Sequence, residues 1–361
     1  GGFLISALGV YLHNLWIIYF GYVVIGGWAL VIGYISPVST LMKWFPDRPG
    51  MATGMAIMGF GGGAMIASPL SVWLMNKYAT ATDVGVLWTF VTLGLGYFVF
   101  MMVGATIVRV PAPGWKPEGY VPAATPTKLI TKNDVYVYDA VKTPQFWLIW
   151  CVLFLNTTAG IGVLGQASAM SQEMFPGHIT AIAAAGLVGL MSLFNMGGRF
   201  CWASLSDFIG RRNTYFVYMT LGFALYVTVP FAGGTGNVVL FVFCFLIIVS
   251  MYGGGFSTVP AYLRDMFGTR YVGAIHGILL IAWSAAGIAG PVLINYIREY
   301  NITHGIPKAQ AYNVTMYIMA GLLVVGFICN FFVKAVDKRY HMKNEADEAG
   351  LSPEIPQAAK A

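Results

Sequence analysis

Ala181-Ile-Ala-Ala-Ala-Gly-Leu-Val-Gly-Leu-Met-Ser-Leu-Phe-Asn-Met-Gly-Gly-Arg199-Phe-Cys-Trp-Ala203 is the stretch whose reading decides the fold. As a helix rising 1.5 Å per residue, it is long enough to cross about 30 Å of hydrocarbon. It holds a single charge, Arg199. A guanidinium at membrane depth costs from about 2.5 to more than 10 kcal/mol, so such a residue is ordinarily kept for an ion or substrate pathway. A cation in that position points to an anion as the cargo.

The rest of the chain repeats this apolar pattern. Of 361 residues, 58% are hydrophobic and 9% charged, against roughly 25% charged in soluble domains. Candidate spans cover 1–11, 15–41, 51–74, 84–108, 146–170, 180–203, 215–231, 238–259, 273–297 and 314–333. The charges gather between them. One set of alternate connections, with the C-terminal tail, holds Lys43, Arg48, Arg109, Lys116, Lys128, Lys132, Lys142, Arg211, Arg212, Arg264, Arg270, Lys334, Lys338, Arg339, Lys343 and Lys360, which is 16 of the 20 basic residues. By the positive-inside rule these connections and the C-terminus face the cytoplasm, as in a multi-pass protein of the cell (inner) membrane. The net charge of +6 therefore reports topology, and no nucleic-acid partner is expected. The chain opens directly in apolar sequence without Met, so a preceding N-terminal section is expected.

Five prolines, Pro111, Pro113, Pro117, Pro122 and Pro126, interrupt the one long polar connection. It divides the chain into the remainder of an N-terminal helical bundle (1–108), a cytoplasmic linker (109–143), a C-terminal six-helix bundle (144–336) and an unstructured cytoplasmic tail (337–361). An internal repeat supports the division. Trp44-Phe-Pro-Asp-Arg-Pro-Gly50, followed by a helix rich in glycine, matches Asp265-Met-Phe-Gly-Thr-Arg270 and the helix carrying Gly277, Gly287 and Gly290, about 223 residues on. Same-direction repeats of this kind mark parallel transporter halves. Gly50, Gly54, Gly59 and Gly63 have the spacing of a close helix contact, which serves static packing and a moving interface alike.

Asn195 precedes Arg199 by four residues, so the two share a helix face. An amide beside a guanidinium suits a carboxylate, which the planar fork binds bidentately. The alternative, snorkelling toward Asp207, requires Arg199 to span about 12 Å. Tyr34, Phe60, Tyr252, Phe256 and Trp283 are aromatic residues at similar depth, and each is open to a plain packing role. None of the 14 acidic residues falls clearly inside a span, and the five histidines read as lying at or near loops. Coupling would then run through the charge of the substrate itself. There is no G-x-S-x-G, H-E-x-x-H or Cys/His cluster, so neither an enzyme nor a metal or cofactor is expected.

Four stretches together carry a family resemblance: Lys43-Trp-Phe-Pro-Asp-Arg-Pro-Gly50, Pro113-Gly-Trp-Lys-Pro-Glu-Gly119, Thr143-Pro-Gln-Phe-Trp147 and Ser206-Asp-Phe-Ile-Gly-Arg-Arg212. The chain resembles the oxalate:formate antiporter family of the major facilitator superfamily, from its third transmembrane helix to its twelfth. This implies an all-α membrane fold of two six-helix bundles, with about ten of twelve helices present. It also implies that Arg199 binds a substrate carboxylate and that Tyr34 lines the site. The family's lysine on the eleventh helix is replaced here by Trp283. Tyr252 stands where a tryptophan is expected, and Phe60 and Phe256 where tyrosines are.

With one buried cation instead of two, the expected substrate is a monocarboxylate of the lactate, pyruvate, acetate or formate class. The Asn195–Arg199 pairing also resembles lactate-transporting carriers, which implies proton symport, and a monomer is expected. Oxalate:formate exchange is the alternative, and a non-transporting membrane sensor a remote one. Charged turns at Asp47/Arg48, Asp207/Arg211 and Asp265/Arg270 are expected to latch the cytoplasmic side.

Overall fold

A computed structural model of the chain describes residues 1–112, 115–119, 129–131 and 133–342. Ten helices follow in order: α1 (Gly2–Tyr11), α2 (Leu15–Trp44), α3 (Pro49–Tyr78), α4 (Val86–Ile107), α5 (Pro144–Met174), α6 (Ala181–Ile209), α7 (Arg211–Gly234), α8 (Val238–Phe267), α9 (Val272–Thr303) and α10 (Lys308–Phe332). Eight are long and apolar enough to cross a membrane by length and composition, and α6, of 29 residues, runs among them. Their outer surface is apolar: on α4, the run from Phe98 to Val103 is more than half exposed at every residue. Such a surface is stable against hydrocarbon and not against water.

Sequence sets the helix ends. Thr143 caps α5, its hydroxyl accepting from the Phe146 amide at 3.2 Å, with Pro144 in the first turn. Thr180 caps α6 and Asn237 caps α8 through their own third amides. Each side chain satisfies one of the amides that a helix start leaves open. Gly210, at φ 85°, stops α6 and lets α7 begin at once with Arg211. α2 contains a π-helical turn, Tyr19–Ile25, and α9 is interrupted at Leu280.

Helices α1–α4 pack among themselves, as do α5–α10. The two sets meet where α3 lies along α6 and α8, and where α2 lies along α8 and the first turns of α9. Small residues make the α3–α6 contact. A methyl group at Gly54 would lie 2.8 Å from the Arg199 carbonyl oxygen, and one at Gly61 2.8 Å from Arg199 Nε. The glycine spacing expected from the sequence is therefore half right. Gly50 and Gly54 face α6, but Gly59 and Gly63 have open space around them, and Gly61 and Gly62 make the contact instead.

The connections rich in Lys and Arg share one end of the molecule. There the linker docks on the α8–α9 turn: Val135 N donates to Phe267 O at 2.9 Å, and Asp134 Oδ1 accepts from the Thr269 and Arg270 amides at 2.8 and 3.0 Å. The tail was expected to be unstructured, and its start is not. Lys338–Tyr340 forms a turn, and His341 bridges to Val135, because the backbone groups of that linker segment offer it partners. Pro113, Gly114, Pro122, Pro126 and residues 343–361 of the tail lie outside the described residues.

Candidate functional site

Arg199 is at the centre of the contact between the helix sets and is 2% exposed. Its Nε donates to Asn195 Oδ1 at 3.0 Å, one turn earlier on α6. Its Nη1 is buried with no hydrogen-bond partner. The guanidinium carbon lies 5.2 Å from the Phe60 ring centroid and 5.1 Å from that of Phe256, within cation–π range. Gly253 on α8 makes room for the pair: a methyl group there would meet Asn195 Oδ1 at 2.5 Å and Arg199 Cγ at 3.0 Å.

The same two rings wall an apolar pocket lined by Leu30, Val31, Tyr34, Phe60, Phe256, Leu280 and Trp283, which encloses about 240 Å³ including its mouth. Tyr34 packs 5.3 Å from Phe256 and 6.4 Å from Phe60, and Trp283 lies 5.4 Å and 6.2 Å from the same rings. Tyr34 Oη and Trp283 Nε1 are buried and unpartnered. Three donors without acceptors, Arg199 Nη1, Tyr34 Oη and Trp283 Nε1, are thus associated with one aromatic pocket. Because buried polar groups are normally paired, this arrangement fits an acceptor-rich ligand.

Six of the seven expected pocket residues therefore come together: Arg199, Asn195, Tyr34, Phe60, Phe256 and Trp283. Tyr252 is one turn before Phe256 on α8. It lines a second void inside the C-terminal set, with Asn156, Tyr218 and Tyr226 among its walls.

The expected charged turns are arranged less symmetrically. Asp207 accepts from the Gly50 and Met51 amides at 2.9 and 2.8 Å, so a carboxylate of α6 caps the start of α3 across the two sets. Arg211 pairs with Asp207, donates to Ser206 and reaches Asp265 Oδ2 at 3.3 Å. Arg264 adds a cross-set bond to the Pro46 carbonyl at 3.1 Å. Asp47 and Arg48 pair with each other at the surface, 3.8 Å apart. Arg270 meets Asp134 through its backbone amide, and its guanidinium lies over Tyr271.

The sequence reading missed His276. Placed there near a loop, it is 1% exposed on α9, and its ring centroid lies 5.6 Å from that of Tyr34. Its place inside the apolar run 273–297 was the available signal. Asn156 is a second buried polar residue of this kind, on α5. Its Nδ2 is buried without a partner beside Gly255.

The model of the Major Facilitator Superfamily matches residues 1–291. The chain is 26% identical over 266 residues to the oxalate:formate antiporter of Oxalobacter formigenes, covering 74% of this chain and 59% of that protein. It is 26% identical over 364 residues to apicoplast pyruvate carrier 1 of Toxoplasma gondii, covering 85% of this chain and 65% of the carrier. The chain thus spans less than two thirds of the length of either relative. The Escherichia coli transporter FucP, solved in an outward conformation, superposes with a TM-score of 0.66 at 15% identity over 93% of this chain and 80% of its own. A bacterial homologue of the lysosomal transporter Spinster, solved inward-facing, gives 0.56 at 14% over 92% and 80%. At such identities the superpositions speak for the fold alone, and the family match extends over most of the chain. An apolar helical exterior, a site buried between two helix sets and that match lead to one assignment: this chain belongs to the major facilitator superfamily and is a multi-pass membrane protein.

Proposed function

We propose that the protein carries small monocarboxylates of the lactate, pyruvate, acetate and formate class across the cell membrane, coupled to protons, by alternating access. One observation carries this reading. A single buried guanidinium with an unpartnered Nη1 sits against an apolar pocket, and none of the residues lining that pocket is charged. One cation compensates one carboxylate. A second carboxylate in the same low-dielectric pocket would stay uncompensated at a cost of several kcal/mol. The apolar walls suit a short hydrocarbon tail. Two relatives, an oxalate:formate antiporter and a pyruvate carrier, are named for small carboxylates as well.

In this account Arg199 binds the carboxylate, Asn195 holds the guanidinium in place through its Nε, and Tyr34 and Trp283 supply further donors. Phe60 and Phe256 cap the empty guanidinium and move aside when an anion enters. We assign the basic end to the cytoplasm, so that the Asp207–Arg211–Asp265 cluster closes the cytoplasmic side. The working unit in this account is a monomer.

The test is uptake of labelled lactate into proteoliposomes with acid outside and no substrate inside. Accumulation that collapses with a protonophore supports symport. Uptake seen only after preloading with a carboxylate supports exchange, and competition by oxalate against formate then separates a divalent from a monovalent preference. No uptake of any carboxylate in either format overturns the reading.

A further inference from the structure

His276 is the one buried histidine among the described residues, and its Nε2 has no hydrogen-bond partner. An ionisable side chain held inside a membrane bundle with its polar atom unpaired is unfavourable unless it is used. Its neighbour is Tyr34 on α2, ring centroids 5.6 Å apart, whose hydroxyl is also buried and unpaired. Tyr34 lines the pocket beside Arg199, and both pack on the Phe256 ring, at 5.3 and 5.1 Å. It is therefore the side chain that His276 and the carboxylate pocket share. Glycines set this approach of α2 to α9: a methyl group at Gly277 would stand 3.2 Å from Ile35 Cδ1. One turn beyond His276, α9 loses its regular bonding at Leu280, where the Trp283 amide turns to the Leu280 carbonyl at 2.9 Å.

The first turns of α9 pack on α2, α8 and the helical turn Val137–Ala140. The titratable and charged groups of these elements, Tyr34 apart, are engaged elsewhere or exposed. Asp265 is bonded to Arg211, Asp139 to Lys142 and the Tyr262 hydroxyl to Asn330, Arg264 donates to Pro46, and Lys43 is exposed. On α8, Tyr252 faces the second void, and next to α9 itself Arg270 lies over Tyr271. None of these groups bonds His276 Nε2.

We propose that His276 carries the coupled proton and that Tyr34 ties its protonation to carboxylate binding at Arg199. This rests on the reading of the protein as a carboxylate carrier. The coupling comes from one hydroxyl proton. The described conformation does not bond the two groups, but their rings are adjacent, and without a carboxylate at Arg199 a rotation of the Tyr34 and His276 side chains lets Tyr34 donate its O–H to neutral His276 Nε2. When a carboxylate arrives at Arg199, Tyr34 donates to that stronger acceptor instead. Nε2 then has no donor facing it, and taking up a proton lets it donate into the lone pairs of Tyr34. Loading forms one N–H bond at Nε2 from a hydronium ion on the entry side, release breaks it to water on the exit side, and the substrate keeps all its bonds. Linkage makes the effect reciprocal: the carboxylate raises proton affinity by the factor with which the proton raises carboxylate affinity, commonly about 5- to 150-fold.

The experiment compares wild type and His276→Gln in proteoliposomes by two assays on labelled lactate. Counterflow into lactate-loaded vesicles needs no net proton movement, whereas accumulation against a gradient does. Counterflow is expected to persist in the variant, lowered by no more than about tenfold for one lost hydrogen bond, while proton-driven accumulation falls to the equilibrium ratio. The rise of wild-type uptake on acidification, with a midpoint in the histidine range, should flatten in the variant. Accumulation by His276→Gln at the wild-type level and proton stoichiometry overturns the proposal. If the variant lacks counterflow as well, proton uptake on adding lactate to unbuffered purified wild-type protein decides. About one proton per lactate, with a midpoint in the histidine range, supports the assignment, and none overturns it. A wild type that moves no carboxylate in either assay instead overturns the underlying reading, so the two failures are separable.

Discussion

At the residue scale the site depends on the shape of Arg199 as well as its charge. The guanidinium is held by Nε on Asn195 and leaves Nη1 free, so one side chain both anchors itself and binds. Lysine has no second nitrogen for that division of work. Arg199→Lys is expected to lower lactate uptake at least about 100-fold, while Asn195→Ala loses one charge-assisted bond, about 1.5–3 kcal/mol, and raises the half-saturation concentration about tenfold or more. Initial rates of counterflow measure both. Arg199 was legible in the sequence because an isolated charge stands out in an apolar span, and Asn195 because it lies one turn away. His276 was not. It falls only five residues after Tyr271, where a turn was expected, and its ring packs on Tyr34 of α2, which is distant in sequence.

At the element scale the glycines decide how near α3 and α8 come to Arg199. Gly253 of α8 faces Asn195 and Arg199, whereas Gly59 of α3 has open space around it. Gly253→Ala is expected to push the guanidinium out of register and abolish lactate counterflow. Gly59→Ala is expected to leave transport intact and the melting temperature unchanged or raised, since alanine is better than glycine in a helix by about 1 kcal/mol. Counterflow and thermal unfolding of the two variants side by side check this. Span number and helix order were readable from apolar length, because a membrane helix satisfies its own backbone and its run of side chains must be apolar. Which glycines meet a neighbouring helix was not readable, because that depends on the rotation of α3 about its axis, and a helix apolar on most sides carries no stripe to fix it.

At the scale of the whole molecule, the two helix sets are fastened at the basic end. Asp207 and Arg211 are almost fully buried there, with 7% and 6% of their side chains exposed, and the carboxylate caps α3 across the interface. Breaking a buried pair by removing one charge costs about 3–5 kcal/mol. Inverting a two-state equilibrium from 1:99 to 99:1 takes about 5.5 kcal/mol. Asp207→Asn is therefore expected to move a large share of molecules to the state open at this end. Spin labels at Arg48→Cys and Ile209→Cys should then show a longer distance population in the variant. An unchanged distribution would remove the latch from the account. Glu173, Arg298 and Tyr312 bond within the C-terminal set alone, so that cluster stays whole as the sets separate.

The central claim is that Arg199 holds a monocarboxylate in the Tyr34–Trp283 pocket, and it is tested most directly by equilibrium binding of labelled lactate to purified wild-type and Arg199→Gln protein. The account predicts saturable binding by the wild type that acetate and formate displace, and none by a variant with an unchanged melting temperature. Equal binding by the two would contradict it.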